Sequence, residues 1–336
     1  MAHASKVTSV LRRVDLAGAI GPTEAPGQEG DVCAFELRRD AEAIIVEAVS
    51  GRAMKIVPGD VFLAAPGHRE STRWVVGRVP ETGLIPGEDY RVLAQSGVVG
   101  EFIGTSTRPM SHLGRVKYLG VFRGRDGELL NIRQFAAGAG PGRADGDALV
   151  FVVVGTSSEV GKTTAGIAIL NTLLHYGHER VAVLKATGTS AVAELDAYRD
   201  VGAIEAFDSV DFGLPTTYPS DRPDIADVFE AALDMWLSRQ ADAFIAECGG
   251  DILGANVPSF LRSLLARRPE ARIVLAASDS LAALGGQTVL RDMGIGDISL
   301  ITGPCTDTPT IQRRTQALCR TPAVNMVVGG TLDFPL

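Results

Sequence analysis

The feature that most constrains this chain is a glycine-rich loop between an apolar segment and a helical one. The loop reads GTSSEVGKTT and spans residues 155–164. It continues from the apolar run LVFVVVG and leads into AGIAILNTLLHYG, where apolar residues recur at helical spacing. Glycines let a backbone curl so that its N–H groups and the helix N-terminus face a phosphate. The sequence therefore predicts a strand, a phosphate-binding loop and a helix in succession.

Apolar strands and longer helical patterns alternate through the rest of the second half. The candidate strands are ALVFVVVG, RVAVLKA, DAFIAE, RIVLAAS, DISLIT and AVNMVV. The candidate helices begin near Gly161, Ala191, Asp224, Pro258, Leu281 and Thr308. Strands that are apolar throughout and alternate with helices predict an α/β fold, a parallel sheet covered by helices on both faces. Ligands of such sheets bind at the carboxyl ends of the strands.

The front half has a different hydrophobic pattern, in which short apolar runs are broken by glycine, proline and charged residues. VCAFEL, GDVFLAA, RWVVGRV and RVKYLGVF are examples. This pattern predicts a smaller β-rich domain, a barrel or a sandwich. The stretch AAGAGPGRADGD has almost no side chain that could pack into a core, and it indicates a linker. We expect an N-terminal extension at 1–30, the β-rich domain at 31–135, the linker at 136–147 and the phosphate-loop domain at 148–336.

Charge and composition exclude several classes of protein. The net charge of −8 argues against a protein built to coat nucleic acid or an acidic membrane. Four cysteines with no C-x-x-C pair favour a reducing compartment. The N-terminal residues are too interrupted by charge for a signal peptide, and no apolar run approaches the ~20 residues that span a bilayer. We expect a cytoplasmic protein without nucleic-acid or membrane partners.

The spacing inside the loop is unusual, because five residues rather than four separate Gly155 from Gly161. In this feature the chain resembles dethiobiotin synthetase, whose loop reads GTDTEVGKT, although Ser157 stands where the synthetases have Asp. The resemblance extends over about residues 150–325 and through VLKATGT, ELDAYRD and FIAECGGD. It implies a P-loop NTPase that uses ATP and Mg²⁺. By position, it also implies that Lys185 precedes a substrate-contacting turn, that Asp196 binds the metal and that Glu247 faces the loop.

A weaker resemblance links the chain to the D-glutamate N-acetyltransferase family. That family pairs a smaller N-terminal domain with a similar glycine-rich loop. There, the loop is expected to hold a phosphate-bearing acyl donor. The resemblance implies acyl transfer as an alternative reaction.

The residue types at these positions suit phosphoryl chemistry. Thr163, Asp196 and Glu247 offer the oxygen ligands that Mg²⁺ takes. Lys162 and Lys185 supply the positive charge that phosphoryl transfer needs, and we expect both to be catalytic. The nucleotide-binding residues are expected to be Gly155, Thr156, Ser157, Ser158, Glu159, Val160, Gly161, Lys162, Thr163 and Thr164.

Two further segments are candidates for substrate and base recognition. Hydroxyl-bearing residues that follow the second strand or lie in DFGLPTTYPSDRP suit a polar substrate. These residues are Thr187, Thr189, Thr216, Thr217 and Tyr218. The segment TGPCTDTPT, which follows a predicted strand, has no N-K-x-D guanine-binding motif and favours ATP over GTP.

These observations lead to one main functional hypothesis and two alternatives. The main hypothesis is a Mg-ATP-dependent ligase or phosphotransferase that activates a small molecule bearing a carboxylate or an amine, working as a homodimer. The first alternative is an N-acyltransferase that holds a coenzyme A thioester in the loop. The second is a nucleotide-dependent switch or maturation factor.

Overall fold

A computed structural model describes residues 6–71, 74–106, 113–140 and 148–327. Contacts divide the chain into two compact units. The barrel unit contains Met1–Ala137, Thr189–Ala193 and Asp208–Asp221. The sheet unit contains Gly138–Gly188, Glu194–Phe207 and Arg222–Leu336. The units are therefore not separated by a single cut in the chain. Residues 141–147 of the expected linker lie outside the described residues.

The described residues of the barrel unit form ten strands, five of which close into a ring. The strands are β1 (Ile20–Thr23), β2 (Cys33–Leu37), β3 (Ile44–Glu47), β4 (Ala53–Ile56), β5 (Val61–Pro66), β6 (Arg69–Glu70), β7 (Val75–Arg78), β8 (Asp89–Ala94), β9 (Val98–Thr105) and β10 (Arg115–Arg123). The ring runs β2-β5-β9-β8-β10 and returns to β2. Only β5 and β9 in this ring are parallel.

Alternation of apolar and polar residues explains how the ring is filled. In β10, Val116 and Tyr118 are buried, whereas Arg115 and Lys117, which alternate with them, are partly exposed. The ring of Phe35 lies 5.5 Å from that of Tyr118, centroid to centroid. Burying a side chain of this size stabilises the fold by about 1.5–3 kcal/mol. The front half thus forms a closed β-barrel around an aromatic centre.

Polar contacts explain why two later segments belong to the barrel unit. Glu47 accepts hydrogen bonds from the backbone N–H groups of Val192 and Ala193, at 2.9 and 2.8 Å. Arg12 pairs with Asp208 and Asp211 at 2.7 and 2.6 Å. These contacts join residues far apart in sequence, which local patterns do not reveal.

Over its described residues, the sheet unit forms a six-stranded parallel sheet with six α-helices. Its strands are β11 (Leu149–Gly155), β12 (Val181–Thr187), β13 (Glu205–Phe207), β14 (Ala243–Cys248), β15 (Arg272–Ala276) and β16 (Ile298–Thr302). Its helices are α1 (Lys162–His175), α2 (Val192–Val201), α3 (Ile225–Leu237), α4 (Val257–Arg267), α5 (Ser280–Asp292) and α6 (Pro309–Cys319). The strand order is β13-β12-β14-β11-β15-β16, so β11 is central. The predicted parallel sheet is confirmed.

Helices cover both faces of this sheet. Ile245 of β14 belongs to the core formed with α1 and α2. Its neighbour Phe244 points to the other face, because adjacent strand residues alternate, and its ring centroid lies 5.2 Å from that of Trp236 in α3. None of the helices in the described ranges combines the length and apolar character needed to cross a membrane.

The predicted helix starts agree with the structure better than the predicted strands do. Each of the six helices begins within one residue of its expected start. The expected strand AVNMVV is wrong over the residues described here. Ala323 forms only an isolated bridge with Ile301, and Val328 lies outside the described residues. The short strand β13 takes its place as the sixth strand, and its three residues are too few to show a pattern.

Candidate functional site

The glycine-rich loop connects the central strand β11 to α1, as the sequence predicts. A Cβ atom at Gly155 would lie 2.8 Å from Cδ of Lys162, so a larger residue does not fit there. Gly161 has a φ of 86°, in the left-handed region that favours glycine. Among the residues described, no side chain caps the N-terminus of α1. The first N–H groups of this helix therefore remain suited to an anion.

Lys162 folds back across the loop and is 7% exposed. Its Nζ donates hydrogen bonds to the carbonyl oxygens of Ser157 and Gly250, at 2.9 and 2.8 Å. Burial lowers the pKa of this ammonium group, Glu247 opposes that effect, and Lys185 adds to it. The charge of Lys162 thus faces neutral carbonyl groups inside the protein, where an anion would bind it more strongly than in water.

Thr163 and Glu247 meet at the start of α1. The Thr163 hydroxyl donates a 2.9 Å hydrogen bond to Oε1 of Glu247. Glu247 lies near the carboxyl end of β14, which neighbours β11, and is 2% exposed. Its second oxygen, Oε2, accepts a 2.7 Å hydrogen bond from the hydroxyl of Tyr198. A hydroxyl and a carboxylate beside a phosphate-type loop are oxygen ligands suited to Mg²⁺, which otherwise keeps water and phosphate oxygens.

Asp196 is not brought to this pair. Its side chain is 42% exposed and forms a 2.8 Å ion pair with Arg199, three residues along α2. Tyr198 contacts Glu247 from the same helix. Residues two apart on an α-helix point about 200° apart, so Asp196 faces away from the carboxylate that it was expected to assist. No group of three or more His, Cys, Asp or Glu side chains able to hold a metal exists within the described ranges.

Lys185 does lie beside Glu247, because the two residues are in register on the adjacent strands β12 and β14. Its ammonium group forms an ion pair with Glu194 of α2. Lys185 is 8% exposed, whereas the side chain of Glu194 is 44% exposed. The expected second lysine is therefore part of the same charged cluster as Lys162 and Glu247.

The five expected substrate residues separate into two groups. Thr187 belongs to the sheet unit, where its hydroxyl donates a 2.9 Å hydrogen bond to the carbonyl of Gly249. The others belong to the barrel unit: Thr189, Thr216, Thr217 and Tyr218. Thr216 is fully buried and donates to the carbonyl of His68 at 2.9 Å. These contacts hold the backbone in place, and a substrate role for the five residues stays a prediction.

The segment expected to hold the base flanks the loop. A Cβ atom at Gly303, just after β16, would lie 2.6 Å from the carbonyl oxygen of Val160. The chain then enters a short 3₁₀ turn, Pro304–Thr306, with Cys305 buried. The preference for ATP over GTP stays a prediction.

Two site residues were missed in the sequence. Tyr198 reaches Glu247, and Gly166 of α1 lies against its hydroxyl. A signal for Tyr198 existed, since Val192, Leu195 and Tyr198 recur at a spacing of three on one helix face, and a buried tyrosine hydroxyl needs a partner. Gly166 carried no comparable signal.

Several solved structures are similar to part of this chain. The signal recognition particle receptor FtsY of Elizabethkingia anophelis has 18% identity and a TM-score of 0.37 over 58% of this chain and 64% of its own. The 54 kDa signal recognition particle protein of Aeropyrum pernix, in complex with GDP, has 16% identity and a TM-score of 0.38, over 56% and 43%. FtsY of Thermotoga maritima has 20% identity and a TM-score of 0.35, over 56% and 62%.

These likenesses are limited in extent. The chain spans less than two thirds of the length of each of the three structures. No protein-family model matches the chain, and no curated protein does. None of these findings supports the narrower resemblance to dethiobiotin synthetase. The chain's own structure shows a parallel α/β sheet whose central strand leads through a glycine-rich loop into a helix.

Proposed function

We propose that the sheet unit binds a nucleoside triphosphate together with Mg²⁺ and cleaves its terminal phosphate, and that the chain acts as a nucleotide-dependent switch. The observation that carries this proposal is the 2.9 Å hydrogen bond between Thr163 and Glu247. It brings the hydroxyl at the end of the loop into contact with a buried carboxylate of β14, the strand that lies beside β11 in the sheet. Two oxygen ligands at the end of a phosphate-binding loop are what a magnesium–nucleotide complex requires from the protein.

Each residue of this cluster has a distinct part in the proposal. Thr163 and Glu247 hold the metal, which when bound supplies positive charge to the phosphate oxygens. Lys162 turns its ammonium group from the carbonyls to the phosphates, and the N-terminus of α1 adds N–H donors. The burial of Lys162 and Glu247 excludes water and strengthens these interactions.

The contact between Lys162 and Gly250 favours a switch. The lysine donates to the carbonyl of Gly250 at 2.8 Å, and Gly250 follows the strand that carries Glu247. A phosphate that recruits the ammonium group competes with this hydrogen bond. Nucleotide binding therefore releases the loop that begins at Gly249, and loss of the phosphate restores its contact with the lysine.

Transfer of the phosphate to a small anionic substrate is a second candidate. It is favoured by Lys185, a buried cation in register with Glu247 whose counter-ion Glu194 is half exposed. If this function applies, nucleotide consumption depends on an added carboxylic acid, and hydroxylamine traps an acyl phosphate. A switch instead hydrolyses nucleotide slowly without such an acid and faster with a protein partner.

Calorimetric titration with the non-hydrolysable analogues AMP-PNP and GMP-PNP, with and without Mg²⁺, tests the proposal. We expect one analogue to bind in a Mg²⁺-dependent manner, and Lys162→Ala to weaken its binding about 100-fold because a buried charged partner is lost. Lys55→Ala removes an exposed lysine of the barrel unit and is the matched control, with unchanged binding. If coenzyme A binds without Mg²⁺ and neither analogue binds, the acyltransferase alternative replaces this proposal.

A further inference from the structure

Tyr198 contacts the carboxylate that holds the metal in the proposed function. Its hydroxyl donates a 2.7 Å hydrogen bond to Oε2 of Glu247, and the residue is 1% exposed. A phenol hydroxyl is a hydrogen-bond donor at ordinary pH. A buried carboxylate needs such donors to stay charged.

Gly166 provides the space in which this tyrosine fits. It lies inside α1, where the backbone is helical and has no need of a glycine. A Cβ atom added to Gly166 would lie 2.0 Å from the Tyr198 hydroxyl and 2.9 Å from Cζ of its ring. Glycine in a helix interior is less favourable than alanine. The presence of glycine at this position is explained by the tyrosine that packs against it.

The two contacts on Glu247 come from one arrangement of α1. Thr163 and Gly166 are three residues apart and lie on the same helix face. The first residue brings a hydroxyl to Oε1, and the second leaves a gap through which Tyr198 reaches Oε2. The two oxygens of Glu247 are thus distinguished by their partners.

We propose that Tyr198 is a positioning residue that fixes the orientation of the Glu247 carboxylate for the metal, and that Gly166 is its steric counterpart. This inference rests on the proposed function, in which Glu247 and Thr163 hold Mg²⁺. Thr163 can turn its hydroxyl oxygen from Glu247 to the metal, whereas Tyr198 keeps its bond to Oε2. Without Tyr198 the carboxylate is free to rotate and presents Oε1 to the metal for a smaller fraction of the time.

The test is the Mg²⁺ concentration that gives half-maximal binding of the nucleotide analogue, measured in five variants and in the wild-type protein. Tyr198→Phe keeps the ring and removes only the hydroxyl. We expect it to raise that concentration about tenfold, since residues that orient a metal ligand typically contribute 10–100-fold to metal affinity. Binding of the analogue without Mg²⁺ should stay unchanged. Tyr176→Phe removes the hydroxyl of a half-exposed tyrosine on the same unit and is the matched control.

Gly166→Ala gives a second, independent reading. Alone, it should raise the Mg²⁺ requirement in the same direction, because its methyl group displaces the Tyr198 hydroxyl. Combined with Tyr198→Phe, it should add little to the Mg²⁺ requirement, because the hydrogen bond to Glu247 that its methyl group would displace is already absent. A residue with a merely structural role would change melting temperature and leave this non-additive pattern absent.

Two results overturn the inference, and they are distinguishable. If Mg²⁺ dependence is lost in Glu247→Gln but unchanged in Tyr198→Phe, the positioning role is wrong and the proposed function stands. If the wild-type protein shows no Mg²⁺-dependent nucleotide binding, the proposed function fails and the positioning role fails with it.

Discussion

Two buried glutamates, one in each unit, show how similar groups serve different ends. Glu47 of the barrel unit accepts hydrogen bonds from the Ser9 hydroxyl and from the N–H groups of Val192 and Ala193. Glu247 of the sheet unit accepts from two hydroxyls, those of Thr163 and Tyr198. Both carboxylates are at most 7% exposed, so both depend on these donors.

The difference lies in what the donors can do next. Besides the Ser9 hydroxyl, Glu47 contacts two backbone N–H groups, which can only donate, so this carboxylate holds the backbone of Val192 and Ala193 in place. A hydroxyl can donate to a carboxylate or turn its oxygen to a cation. The hydrogen bond from Thr163 to Glu247 can therefore be exchanged for a metal without leaving an unsatisfied group, while Tyr198 keeps its bond to Oε2. We therefore assign Glu47 to the stability of the fold and Glu247 to the proposed metal site.

The largest expected effect is on stability, in Glu47→Ala. This change leaves the buried N–H group of Val192 and the partly buried N–H group of Ala193 without this partner, and an unsatisfied buried donor costs about 1–3 kcal/mol. We expect the free energy of unfolding to fall by about 3 kcal/mol, measured by urea denaturation, with the Mg²⁺ dependence of nucleotide binding unchanged. Glu42→Ala, at an exposed position of the same unit, should stay within about 0.5 kcal/mol of wild type. A comparable loss in both variants would remove the distinction drawn for Glu47.

A smaller effect is expected from Thr163→Val, which keeps the side-chain shape and removes the hydroxyl. We expect a roughly tenfold rise in the Mg²⁺ concentration needed for nucleotide binding, because one metal ligand is lost. Thr288→Val on α5, where the hydroxyl donates to the carbonyl of Leu284, is the control. Equal Mg²⁺ requirements in both variants would contradict the role of Thr163.

The smallest effect concerns pH. Lys162 attracts phosphate only while its ammonium group is protonated. In the protein without nucleotide, burial places the pKa of this group below the 10.5 of an ordinary lysine. Nucleotide affinity should therefore decline with rising pH before pH 10.5 is reached. Titrations between about pH 7 and pH 10 should show this decline, and Lys162→Arg, whose guanidinium does not titrate there, should show a flatter profile. The same profile in both proteins would assign the decline to another group.

The lowered pKa of Lys162 affects stability in the opposite direction from nucleotide affinity. The unfolded chain keeps the lysine proton to a higher pH than the folded protein does. The free energy of unfolding therefore rises with pH between the folded and unfolded pKa values. The change in affinity on the alkaline side is thus not a consequence of unfolding driven by this group.

Local chemistry made part of the site predictable. The loop, its lysine and the strand-end carboxylate of Glu247 are each encoded in a few consecutive residues. The parallel sheet follows from apolar strands that alternate with helices, and helix starts follow from capping residues such as Asp279 and Thr308. These features depend on near neighbours in the chain, which a sequence displays directly.

Features that depend on distant partners were not predictable. The resemblance implied that Asp196 binds the metal. In the structure, however, α2 is oriented so that Tyr198, and not Asp196, contacts Glu247. The assignment of 189–193 and 208–221 to the barrel unit depends on Glu47 and Arg12. The expected domain boundaries, the choice of nucleotide and the homodimer stay predictions.

The most direct test of the central claim compares Glu247→Gln with Glu47→Gln in the same Mg²⁺ titration of nucleotide binding. We expect Glu247→Gln to raise the required Mg²⁺ concentration about 100-fold or more while the protein stays folded, because a ligand is lost rather than a group that orients one. Glu47→Gln should keep the wild-type requirement and lower only stability. An unchanged Mg²⁺ requirement in Glu247→Gln would contradict the assignment of this carboxylate to the metal.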